Sequence, residues 1–155
     1  MLFPELIYKY MYEALREAEK ALETGEIPIG AVVVHENKII GRGFNQTEML
    51  KDATAHAEML AITAASNNLG SKYLDECELY VTVEPCVMCS GAILLSRIKT
   101  VYFAAFEPKF GAGGSVFNIL ESDRYNHKPA VYSGLYSEES KALLTEFFRQ
   151  KRIPS

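Results

Sequence analysis

The stretch ELYVTVEPCVMCSGAILLSRI, residues 78–98, decides how the chain folds. ELYVTV is a short apolar and β-branched run, which reads as a buried strand. It runs straight into Pro85, a residue suited to the first turn of a helix because its missing N–H would have no partner there. The helix so opened is expected over about Cys86–Arg97. Downstream, TVYFAA (Thr100–Ala105) reads as a fourth strand, EPKFGAGGS (Glu107–Ser115) as a glycine-rich loop, and AVYS (Ala130–Ser133) as a short fifth strand. Ser137–Arg152 makes a closing helix, with acids in its first turn and cations in its last.

Upstream, Ala55–Asn67 reads as a helix ended by NNLG. Before it, IGAVVV and KIIGRGF flank His35-Glu36-Asn37 as the two strands of a hairpin. Ile7, Met11, Ala14, Ala18 and Leu22 recur at helical spacing within Pro4–Thr24, and Gly25 supplies the stop. Strands separated by single helices imply parallel crossovers, and the opening hairpin makes the sheet mixed. The expected fold is therefore α/β: a three-layer α/β/α sandwich around a mixed five-stranded sheet, one domain over residues 1–155. The helix carrying VMCSGAILLSRI is apolar around most of its circumference. A helix covering one sheet face needs only a stripe, so the excess suits burial against a second subunit or within one subunit, without choosing between them.

Bulk composition narrows the classes further. The chain has 155 residues, 48% hydrophobic and 23% charged, as an ordinary folded domain does. Its longest strongly apolar run, Ile29–Val34, is far short of a membrane span. The N-terminal segment lacks a signal-peptide pattern, and three cysteines make no disulfide framework. A cytoplasmic protein is expected. The net charge of −4 argues against coating nucleic acid by bulk charge, although FFRQKR (Phe147–Arg152) interleaves cations with aromatics.

His56 and Glu58 lie about thirty residues before Cys86 and Cys89. Two cysteines three apart at a helix start can turn both sulfurs to one side. The helix terminus also lowers thiol pKa and favours the thiolate. One imidazole and two thiolates form a zinc-type donor set, and three protein ligands leave a fourth position for water, the mark of a catalytic site. Cys77, His35 and His127 are not spaced as a fourth ligand. Glu58 then has a task, carrying a proton between water and an amine leaving group. Residues two apart on a regular helix point nearly opposite ways, so His56 is expected at the helix entrance. His-x-Glu together with Pro-Cys-x-x-Cys is the signature of zinc nucleobase deaminases.

TAHAE with EPCVMCSGAI resembles the cytidine/deoxycytidylate deaminase superfamily. IPIGAVVV, GRGFN, GAGGSVFNIL, NHKP and EFFRQKR resemble its bacterial tRNA adenosine deaminases. The resemblance implies a cytidine deaminase-like fold and one zinc ion per subunit held by His56, Cys86 and Cys89. It implies hydrolytic conversion of adenosine to inosine at the wobble position of a tRNA anticodon, with activated water attacking C6 and Glu58 as the catalytic proton shuttle. It further implies that Asn45, Ile27 and Ala57 meet the base and that Glu107 and Lys109 contact the anticodon loop. Similar sequences often have Asp at the position of Glu107. Phe147, Phe148 and Arg149 would clamp loop nucleotides, with at least one of the two phenylalanines expected in the core. The family is homodimeric, so an RNA site built across two subunits is implied. The rival readings are a free-base or nucleoside deaminase of guanine or cytidine type on the same scaffold, a structural zinc module, and a redox Cys-x-x-Cys.

Overall fold

The computed structural model describes residues 2–152. Among them the elements run α1 (Glu5–Glu23), β1 (Gly30–His35), β2 (Lys38–Phe44), α2 (Ala57–Leu69), β3 (Cys77–Val83), α3 (Val87–Ser96), β4 (Thr100–Ala105), β5 (Ala130–Ser133) and α4 (Ser137–Arg152). The sheet order is β2-β1-β3-β4-β5. β1 is antiparallel to both neighbours, while β3–β4 and β4–β5 are parallel. The sheet is thus mixed and five-stranded, as the alternation of strands and helices requires. Glu36 and Asn37 carry the hairpin with φ of 49° and 63°, the left-handed pair that matches the twist of adjoining strands.

Side-chain alternation along the strands splits the core in two. Ala31, Val33, Leu79, Val81, Val101 and Phe103 face α2 and α3. Val32, Val34, Tyr80, Tyr102 and Ala104 face α1, and α4 packs beside α1 on that side. The parallel register sets Tyr80, Tyr102 and Tyr132 side by side, with their rings stacked at 4.6 and 5.3 Å.

α2 lies unusually close to the sheet. A Cβ at Gly43 or Gly41 would fall inside contact with the carbonyl oxygens of Ala57 and Ala61. The helix answers with Ala57, Ala61 and Ala65, all fully buried. Small residues on both surfaces set the depth at which α2 sits, and so the position of its first turn.

Two helix starts differ from the sequence reading. α2 begins at Ala57, two residues later than expected, because His56 is its N-cap in extended conformation (φ −77°, ψ 153°). α3 begins at Val87 with Cys86 as N-cap, so Pro85 precedes the cap instead of standing in the first turn. Its trailing end closes at Arg97 in the left-handed region. No helix among the described residues is long and apolar enough to cross a membrane.

Candidate metal centre and cavity

The starts of α2 and α3 converge beside the sheet. His56 Nδ1 is 3.6 Å from Cys86 Sγ and 3.6 Å from Cys89 Sγ. A tetrahedral zinc ion with ordinary Zn–N and Zn–S lengths separates nitrogen from sulfur by about 3.6 Å, so the spacing fits that ion. The three donor atoms lie within 4.8 Å of one another, and no fourth His, Cys, Asp or Glu joins them among the described residues. Because His56 caps α2 instead of continuing it, its ring is free of the helical phase that would have turned it away from Glu58.

The electrostatics of the metal-free triad point the same way. A hydrogen bond from Cys89 lowers the Cys86 thiol to about 4 despite partial burial. The same bond, together with burial, raises Cys89. His56 is raised, chiefly by its hydrogen bond with Cys86. The surroundings thus favour the thiolate at Cys86, the form in which cysteine binds a metal. Cys77 is fully buried in the core below α2 and α3, and burial pushes it up to about 11. His127 Nε2 lies 2.6 Å from the Ile98 carbonyl. Neither belongs to the cluster.

His56 and Cys86 line a cavity of about 780 Å³, within the size range of small-molecule sites, with Cys89 fully buried behind them. Glu58 lines the cavity and is only 4% exposed. Burial pushes its carboxyl up to about 7, with its own N–H, the charge of His56 and the Cys89 thiol opposing the rise. A bound dication would favour the ionised form and draw that value down.

Asn45, Ile27 and Ala57 line the same cavity. Asn45 Nδ2 donates to the Ile27 carbonyl at 3.3 Å, and its Oδ1 accepts from the Thr47 N–H at 3.3 Å. A primary amide has further hydrogen-bonding capacity beyond those two. Glu107, Lys109 and Phe148 are also in the wall. Phe147 is not: it is 8% exposed and belongs to the core, its ring edge-on to Phe148 at 5.2 Å. Helical phase turns adjacent residues about 100° apart, so one of the pair had to turn inward. Arg149 is engaged in a bidentate pair with Glu146, at 2.9 and 2.7 Å.

Two further carboxylates shape the site, and the sequence did not single them out. Glu26, 1% exposed, accepts the N–H groups of Glu48 and Met49 at 3.0 and 2.7 Å. It fixes the connection that delivers His56. Glu84, 3% exposed, accepts the N–H groups of Glu107, Gly113 and Ser115, each at 2.9 Å, and the Ser115 hydroxyl. It fixes the loop that carries Glu107 and Lys109.

An α/β/α sandwich with a three-ligand, zinc-type centre at two helix starts and a buried carboxylate beside it defines a zinc-dependent deaminase. The chain belongs to the cytidine and deoxycytidylate deaminase family, whose zinc-binding region matches residues 4–105. It is 51% identical to the tRNA-specific adenosine deaminase of Aquifex aeolicus over 143 residues, covering 92% of this chain and 94% of that one. A structure from studies of A-to-I editing by tRNA:A34 deaminases at the wobble position of transfer RNA is 44% identical. It superposes with a TM-score of 0.84, over 88% of this chain and 99% of its own. The guanine deaminase of Nitrosomonas europaea is 27% identical with a TM-score of 0.79, over 90% of this chain and 83% of its own.

Proposed function

We propose that this chain is the single domain of a hydrolase that converts adenosine to inosine at the wobble position of a tRNA anticodon. The observation that carries the reading is the His56–Cys86–Cys89 triad at tetrahedral zinc spacing, with His56, Cys86 and buried Glu58 lining one cavity. The 51% identity to a tRNA-specific adenosine deaminase supports adenosine over guanine, for which the similar enzyme stands at 27%.

The reaction consumes water and releases ammonia, with an oxygen replacing the amino group at C6. A zinc ion bound by His56, Cys86 and Cys89 supplies Lewis acidity that brings the pKa of water toward about 7. Glu58 accepts the first proton that water loses and delivers it to the ring nitrogen beside C6; it then takes the second proton, from the hydroxyl now on C6 as the carbonyl forms, and hands it to the amine, which departs as ammonia. Burial keeps that carboxyl basic enough to take a proton and acidic enough to return it. Asn45 hydrogen-bonds the purine edge, while Ile27 and Ala57 pack on its face. Glu107, Lys109, Phe148 and Arg149 meet the anticodon loop. Arg149 must share its guanidinium with Glu146 to do so, and buried Phe147 supports Phe148 from behind.

The assembly is a homodimer. α3 supports this: it leaves Leu95 81% and Val87 50% exposed, apolar surface that a second copy would cover. An enzyme of tRNA works in the cytoplasm. The deciding experiment incubates the zinc-loaded protein with a synthetic anticodon stem-loop bearing a wobble adenosine, and reads inosine by mass spectrometry. Turnover of free guanine, cytidine or adenosine with none on the stem-loop replaces this reading with the small-molecule one.

A further inference from the structure

Between β4 and α4 the chain keeps several aromatic rings in water. Phe106 is 55%, Phe110 70% and Phe117 57% exposed, with Phe148 of α4 at 49%. Phe110 and Phe148 line the cavity. Phe106 rests edge-on against Phe103 at 5.1 Å, and Phe148 against Phe147. Phe110 has no aromatic partner among the described residues. An apolar ring on a slack loop would fold back onto apolar surface, yet the backbone on both flanks of Phe110 is tied down. On one side the Lys109 N–H donates to Glu107 Oε1 at 2.9 Å. On the other, the Gly111 N–H donates to the Glu107 carbonyl at 2.9 Å, and the Ala112 N–H to the Pro85 carbonyl at 2.8 Å. Glu84 gathers both sides, through Glu107 and through Gly113 and Ser115. A Cβ at Gly111 would strike that carboxylate, so the loop is drawn in as close as the backbone allows.

We propose that Phe110 is a stacking platform for the nucleobase next to the one that enters the cavity, and that Glu84 is the positioning residue that holds it there. The proposal rests on the RNA reading above. A base offers a flat π-face of any sequence, and stacking on an aromatic side chain is how single strands are held without base readout. When one base of a loop turns into the cavity, its neighbour loses a stacking partner, and Phe110 replaces it. Lys109 stands beside it in the wall, placed for the intervening phosphate.

The test compares the zinc-loaded parent with Phe110→Ala, Phe110→Trp and Glu84→Gln on an anticodon stem-loop with 2-aminopurine next to the reacting adenosine. Phe110→Ala is expected to raise KM about tenfold or more, with kcat and zinc content kept, and Phe110→Trp to restore KM. The parent should quench 2-aminopurine on binding, and Phe110→Ala should not. Glu84→Gln should raise KM in the same direction, and by less when added to Phe110→Ala than alone. Since Glu84→Gln also loosens the loop, the surface substitutions at Phe110 are the deciding ones. An unchanged KM with unchanged quenching in Phe110→Ala overturns the proposal. So does a change of oligomeric state in that variant, which would assign the ring to a contact between copies. Failure of the parent itself to act on the stem-loop is a different result: it removes the tRNA reading, and this proposal with it.

Discussion

Glu58 and Glu84 stand in the wall of one cavity, 4% and 3% exposed, each within two residues of a metal-site residue. Their surroundings are opposite. Glu84 receives four hydrogen bonds, two on each oxygen, so its lone pairs are spent on holding a loop. Glu58 is raised to about 7 because burial outweighs the few groups that oppose it. A buried carboxylate costs free energy in either place. At Glu84 backbone donors offset the cost, whereas at Glu58 most of it is left standing, as active sites tend to leave it. Depth below the surface therefore says little about what a carboxylate does; the count of donors around it decides.

Stripping the metal is the largest perturbation, because it changes the neighbours of Glu58 and leaves those of Glu84 alone. Chelation should abolish deamination completely while the Glu84 loop stays ordered, which amide exchange at Gly113 and Ser115 would report. The metal-free protein should also be alkylated first at Cys86. With its pKa lowered to about 4, that thiol is ionised at every pH above about 4, whereas an ordinary cysteine ionises near 8.5. Peptide mapping after iodoacetamide at pH 6 should therefore find label at Cys86 and leave buried Cys77 unlabelled. Equal labelling of the two would refute the assignment.

Glu58→Gln follows, with kcat expected to fall about 10²–10⁴-fold. Zinc content should persist and the melting temperature should not drop, since an amide is cheaper to bury than this carboxylate. Full turnover in that variant would leave Glu58 without its role. Glu84→Gln should invert the pattern. Its amide would point N–H groups at backbone N–H groups, costing about 2–4 kcal/mol of stability, read from the urea midpoint, with the zinc site intact. If both variants lose activity and keep stability alike, the contrast between the two carboxylates is false.

How far the sequence foretold this depends on how locally each feature is encoded. The triad was legible because ligand type and spacing lie in two short stretches, and because a cap position for His56 follows from helical phase. The start of α2 was misplaced by two residues because Ala55 and Ala57 suit a helix equally. The difference is made by Asp52, which holds Thr54 through its N–H and hydroxyl at 2.8 and 2.7 Å and keeps the segment turning. Glu84 was not legible at all. Its donors lie 23 to 31 residues further along and are mostly backbone groups, which no residue type advertises. Phe147 and Phe148 could be separated only once α4 was docked, since its helical phase relative to the sheet is a tertiary fact.

The smallest expected effect is also the most discriminating. Gly111→Ala adds one methyl group that would strike the Glu84 carboxylate, and overpacking of this kind costs about 1–3 kcal/mol. The loop must then move outward, and KM for the stem-loop should rise modestly while kcat holds. The same substitution made on Glu84→Ala meets a space where the carboxylate was, so its added cost should fall toward zero. Thermal melts of the two single variants and the double variant give the coupling directly. Equal costs in both backgrounds would mean that the added methyl group is resisted by something other than the Glu84 carboxylate. The close approach would then be incidental, and the grip of Glu84 on the loop would rest on its hydrogen bonds alone.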